Sequence, residues 1–210
     1  MSDQYSNLFF GLVLIGIILM SLSIHEFAHA FVANLFGDPT AKHEGRLTLN
    51  PLAHWDSVGT TILVVLLALR AFGLSGLPAF GWGKPVPVNE DNFENPRLHG
   101  LQVALAGPMS NFILALIFAA LVRFVQLPEL LGAVLVMAIY INLFLMFFNL
   151  LPIPPLDGSR VLRLFMSQET YYAMAGSPFF LFGVIFVIFF FLSDPLVRAT
   201  SYLTSLLIGG

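Results

Sequence analysis

The sequence predicts an all-α integral membrane protein, a polytopic helical bundle of about four to six membrane segments with a small extended, β-like loop. Three observations predict it. Of 210 residues, 58% are apolar and only 10% are charged, against roughly 45–50% and about 25% in soluble domains. Mean hydropathy is +0.87, and a soluble chain this short has too little interior to hide that much apolar surface. The apolar residues also come in runs close to the ~20 residues that a helix needs to cross a ~30 Å hydrocarbon core.

The first run covers residues 8–36. It is broken only by Ser21, Ser23 and a polar cluster at 25–29, and ended by Gly37, Asp38 and Pro39. Asp3 and the lack of Lys or Arg before it are unlike the positive start of a signal peptide, so this segment is expected to be retained. A polar loop covers 38–57. Residues 58–78 are apolar again but contain Arg70, Gly73, Gly76 and Pro78. Residues 81–96, GWGKPVPVNEDNFENP, are punctuated by Gly and Pro. The Lys84-Pro85-Val86-Pro87-Val88 core reads as extended, because proline disfavours helix at the residue before it.

Residues 101–126 form a third long apolar helix, and 129–151, opened by Pro128, a fourth. LPIPPLDGSR breaks the fourth, and 156–166 resume as a short helix. Residues 178–208 make a C-terminal membrane segment interrupted at Ser193-Asp194-Pro195. With no internal repeat and no low-complexity linker, residues 1–210 read as a single membrane-embedded domain.

Lys and Arg in short loops set orientation. Lys42 and Arg46, Lys84 and Arg97, and Arg160 and Arg163 mark three loops as cytoplasmic against Arg123 and Arg198, which puts the N-terminus outside. Two successive loops then share one side, leaving 58–78 no full crossing. The segment is either re-entrant, which is tolerated where backbone is buried in protein, or a true span with one loop on the other side. Its Gly, Pro and Arg content favours re-entry. The cell (cytoplasmic) membrane is the expected location.

The net charge of −3, without a basic cluster, gives no footprint for nucleic acid. With no cysteine, a metal site must use His and carboxylate ligands.

Such ligands stand in the first run. His25-Glu26-Phe27-Ala28-His29 is an H-E-x-x-H pattern. Residues i and i+4 share one helix face, so both imidazoles can reach one zinc ion, with Glu26 beside them to accept a proton from water. Two His and a Glu inside a membrane span are costly unless put to use. Catalytic zinc usually has three protein ligands. The extended form of the pattern fails, since Val32 and Leu35 stand where Gly and His would be. Glu44 and His54 are possible third ligands. Asp157 is favoured, because its helix returns toward the end of the first segment that carries the histidines. Alone, Asp157 would read as a helix N-cap.

Taken with HEFAH at 25–29, the motifs GRLTLNPLAHWD at 45–56, GWGKPVPVN at 81–89, GPMSN at 107–111 and NLLPIPPLDGSR at 149–160 resemble the site-2 protease family of intramembrane zinc metalloproteases. The likeness is to a short form without PDZ or CBS domain. It implies one Zn2+ per chain held by His25, His29 and Asp157, with Glu26 as general base and Asn149 near the metal. It implies substrate presented as a strand by the element holding Lys84, Pro85, Val86, Pro87 and Val88. The implied partners are a transmembrane protein or peptide substrate and the lipid bilayer, with the active site toward the cytoplasmic side.

Asn149 would donate to a developing oxyanion or tie down the proline-rich break. Asn111 would serve helix packing by hydrogen-bonding across helices, and His54 would be either a supporting partner of the site or a loop histidine. Ser57 stands where the family often has Pro, which puts the shape of the following turn in question. A membrane metal carrier is the rival reading. It has no need of Glu26, and the duplicated halves frequent in transporters are missing.

Overall fold

The structure is a computed structural model and describes residues 2–74 and 79–210. Helix α1 runs Ser2–Leu35, α2 is a single turn at Thr40–His43, and α3 covers Gly59–Ala71. Helices α4 (Pro96–Phe124) and α5 (Glu129–Asn149) follow, then a 3-10 helix at Asp157–Leu164, α6 (Gln168–Ala175), α7 (Pro178–Val187) and α8 (Ser193–Ile208). Among the described residues, three helices are long and apolar enough to cross a membrane: Ser6–Leu35 within α1, α4 and α5. Helix α3 has 13 residues, a length of about 20 Å at 1.5 Å per residue. The end of that apolar run, at 75–78, lies outside the described residues.

Helix α4 is the centre. It packs on α1, on α5, on α8 and on the 3-10 helix at Asp157–Leu164. Small residues make these approaches close: Ala30, Ala33, Ala104, Ala115 and Ala119 are buried, and Gly100 and Gly107 join them on α4. This is how helices associate where lipid removes the hydrophobic drive. Ala115, Ala119, Ile139, Leu143 and Met146 form the α4–α5 core, with Leu203, Leu207 and Ile208 of α8 laid against it. Large apolar side chains such as Leu12, Ile113, Ile117 and Phe124 stay exposed on the outer faces, where lipid is their solvent.

Residues 81–89, expected to be extended, belong to no helix and form no ladder with another strand among the described residues, and Asn89 has extended backbone angles. They are pinned from the side. The Thr60 hydroxyl donates to the Trp82 carbonyl at 3.0 Å, and Lys84 N–H to the His54 carbonyl at 2.9 Å. The buried Arg46 donates to the Lys84 carbonyl. Asn89 N–H donates to Asp38 Oδ2 at 2.8 Å. Asp38 also accepts from Thr40 N–H, the Thr40 hydroxyl and Asn92 Nδ2, so one carboxylate joins the end of α1 to the end of the extended segment. Burial pushes its pKa up, but these bonds outweigh burial, and the pKa lies below the ordinary aspartate value.

Asp56 settles the turn that Ser57 put in question. Its Oδ1 accepts from Val58 and Gly59 N–H at 2.9 and 2.7 Å, which caps the start of α3.

The short helix expected at 156–166 is present, as a 3-10 helix at Asp157–Leu164. Ser193-Asp194-Pro195 interrupts the apolar run but not the helix: a π-helical turn at Ile188–Leu192 leads directly into α8. Pro195 falls in the first turn of α8.

Candidate metal centre

His25 and His29 lie one turn apart on α1, both buried, with ring centroids 4.6 Å apart. Asp157 enters from the loop after α5. Its Oδ2 is 3.0 Å from His25 Nε2 and 3.4 Å from His29 Nε2, and the two Nε2 atoms are 3.0 Å apart. The 3-10 helix that Asp157 begins is capped by Leu156 without a side-chain bond, so its carboxylate is not spent as a cap.

The protons of both rings follow from their partners. His29 Nδ1 lies 2.7 Å from the Val103 carbonyl, which can only accept, so Nδ1 carries the proton. For His25 the argument runs through two asparagines. The Ala138 carbonyl accepts from Asn142 Nδ2 at 2.9 Å. Asn142 Oδ1 therefore faces Asn111 Nδ2, at 2.9 Å. Asn111 Oδ1 is left to accept from His25 Nδ1, at 2.7 Å. Both asparagines are fully buried. Neutral rings so oriented present Nε2 lone pairs to each other and to Asp157 Oδ2, a buried atom with no hydrogen-bond partner.

Three acceptors facing one point without a proton among them fit a cation. A tetrahedral zinc with bonds of about 2.0–2.1 Å separates its donors by about 3.3 Å, close to the distances found. His25, His29 and Asp157 are the one group of three His, Cys, Asp or Glu residues among the described residues placed to hold a metal ion. Gly107 makes the room: a Cβ there would stand 2.6 Å from the His25 ring and closer still to His29 Nε2. Gly158 does the same for the loop, since a Cβ would collide with the Leu150 carbonyl.

Glu26 turns the other way. Its Oε2 accepts from Val86 N–H at 3.0 Å, which brings the middle of the Lys84–Val88 segment to the edge of the site. Glu26, His29, Pro85, Val86, Val88 and Asp157 line a shared cavity of about 280 Å³. Asn149 donates Nδ2 to the Leu145 carbonyl at 3.0 Å, within its own helix. His54 lies outside the trio, with Nε2 on the Thr48 carbonyl and Nδ1 against Arg46. Glu44 ends α2 and is exposed.

Sequence reasoning missed Asn142, Gly107 and Glu90. Glu90 accepts from Arg160 at 2.6 Å and from Arg163, and so ties the extended segment's end to the helix that carries Asp157. Burial disfavours the Arg163 charge, but Glu90 more than offsets this and its pKa is raised. The opposite charges of Glu90, Arg160 and Arg163 were legible in the sequence as charges, but not as partners.

A family model described as peptidase family M50 matches residues 129–190. The chain is 43% identical over 155 residues to the protein named "Putative zinc metalloprotease YwhC" of Bacillus subtilis, covering 70% of this chain and 65% of that one. It is 33% identical over 187 residues to "Putative zinc metalloprotease Rip2" of Mycolicibacterium smegmatis, and 35% over 183 residues to the protein of the same name in Mycobacterium tuberculosis. These cover 86% and 85% of this chain, and 66% of each relative. The chain thus spans just under two thirds of the length of these relatives. No solved structure matches. With its motif residues gathered as described and these likenesses over most of its length, the chain belongs to peptidase family M50, the site-2 protease family.

Proposed function

We propose that the chain is a zinc metalloendopeptidase that hydrolyses peptide bonds in or beside transmembrane segments of membrane proteins. The observation that carries this reading is the convergence of His25 Nε2, His29 Nε2 and Asp157 Oδ2 next to Glu26 on a membrane-length helix. The relatives' printed names, all zinc metalloproteases, support the same activity. A zinc ion held by His25, His29 and Asp157 supplies Lewis acidity, which makes water a nucleophile at neutral pH and polarises the scissile carbonyl.

The protein's own groups do the rest. Glu26 takes a proton from the attacking water as its oxygen bonds to the carbonyl carbon. It returns that proton to the amide nitrogen as the C–N bond breaks, leaving a carboxylic acid and an amine. Asn149 serves the oxyanion once its amide turns from Leu145. The Lys84–Val88 segment holds the substrate backbone extended, since a helical peptide bond is shielded. The site opens toward the cytoplasmic side, with α3 re-entrant.

The test is cleavage of single-span peptides by purified protein in nanodiscs, with zinc counted per chain. Glu26→Gln should keep zinc and lose cleavage, and Asp157→Ala should lose both. Undiminished cleavage after complete removal of metal by a chelator would overturn the reading.

A further inference from the structure

Between Lys84 and Val88 the backbone has one N–H to offer, because Pro85 and Pro87 have none. That one, on Val86, is engaged by Glu26 Oε2. The Lys84 N–H and carbonyl are engaged by His54 and Arg46. In extended backbone, residues two apart turn their N–H and C=O groups to the same edge. Lys84 and Val86 therefore share an inner edge, facing the first loop and α1. The outer edge belongs to Pro85 and Pro87 and carries acceptors only. A peptide strand added there would find no donor for its own carbonyls, although strand addition draws its affinity from main-chain hydrogen bonds.

We propose that substrate is read on the inner edge, in the cavity between this segment and the metal centre, and that it takes the Val86 N–H from Glu26. The inference rests on the protease reading above. A carbonyl of the extended peptide accepts the Val86 N–H, and Glu26 Oε2, losing its donor, becomes free to accept a proton from water. The general base is thus held by the enzyme's own backbone until a peptide in extended form displaces it. A helical segment, whose carbonyls are already paired within the helix, cannot make the exchange. Of the inner-edge donors, the Val86 N–H is the one that Glu26 holds, so a carbonyl that takes it releases the base in the same event.

The experiment measures binding, with two variants that both lack the base. Glu26→Gln retains an oxygen that can hold the Val86 N–H, whereas Glu26→Ala cannot. The probe is a fluorescent single-span peptide that the unaltered chain has been seen to cleave in nanodiscs in a chelator-sensitive manner. Glu26→Ala should bind it about 2–10-fold more tightly than Glu26→Gln, the value of one neutral hydrogen bond no longer displaced. In a Val86→Pro background, which has no N–H to release, that ratio should fall to one. Val86→Ala keeps the N–H and should keep the ratio, which separates the bond from the extra space left at position 26. Should Val86→Pro fail to fold, an amide-to-ester replacement at residue 86 makes the same comparison. Equal binding by Glu26→Ala and Glu26→Gln, with cleavage by the unaltered chain intact, overturns this inference alone. Absence of any chelator-sensitive cleavage removes the protease reading and this inference together.

Discussion

His25 is linked to α5 through a relay of two asparagines. Its Nδ1 proton is fixed by Asn111 on α4, and the Asn111 amide by Asn142 on α5. Partners that fix a ligating histidine's tautomer typically account for 10–100-fold in metal affinity. Asn111→Ala should therefore raise the zinc dissociation constant by about that factor, measured by competition with a chromophoric chelator. Asn142→Ala, one bond further out, should raise it less. Gly107→Ala should be as damaging as loss of a ligand. Its methyl meets both imidazoles, so zinc per chain should collapse while helix content by circular dichroism stays unchanged.

Asp157, which alone would read as a helix cap, stood out only because its helix returns toward the histidines and its motif resembles the family's. The histidines and Glu26 were legible because ionisable groups inside an apolar run are conspicuous. Asn142 was not, since one amide in IYINLFL looks like any packing residue. Asn111 was read as a packing hydrogen bond, and its partner His25 could not be named. Gly107 was hidden because nothing in a motif says what stands opposite a missing side chain.

At the scale of elements, the extended segment owes its place to contacts at both ends rather than to a sheet. Asp38 is the clamp at the Asn89 end. Its pKa is depressed in the folded protein, so its contribution is present above the ordinary aspartate range, near 4. That contribution is lost as pH falls through the lower, folded value. Backbone amides of residues 84–92 should therefore lose hydrogen-exchange protection on acidification below about pH 4. Asp38→Asn should lack that acid step and show weaker protection at neutral pH. An unchanged acid step in the variant would remove Asp38 as its origin.

Proline and glycine spacing made it legible that this segment is not helical. The clamps were not, because Asp38, Arg46 and Glu90 are ordinary loop charges until the fold brings their partners together. At residues 193–195 the apolar run breaks but the helix does not, and the π-helical turn before it left no trace in the pattern of apolar residues.

For the whole molecule, length and apolarity were enough to mark the three long helices, because lipid tests nothing else. Sidedness is a separate matter and rests on where Lys and Arg lie. A tag at the N-terminus should be accessible from outside, and single-cysteine labels near Lys42, Arg97 and Arg163 from the cytoplasm. Labelling of the Lys42 and Arg97 loops from opposite sides would mean that residues 58–78 cross the membrane completely. Because α4 touches α1, α5, α8 and the Asp157 helix, substitutions that open its small-residue face, such as Ala115→Leu, should unfold the bundle as a unit rather than loosen one helix.

The trio at the metal centre is also divided in time. A ribosome delivers both histidines and Glu26 with the first helix, but the acid that completes the set only after α4 and α5 have been made. Until then the imidazoles lack the carboxylate that faces them, and Gly107 and Asn111, which seat and orient them, arrive with α4. On the reading proposed above, a half-made chain therefore lacks the third ligand that zinc-dependent cleavage needs, and proteins inserted beside it meet a complete site only once Asp157 has been synthesised and folded back.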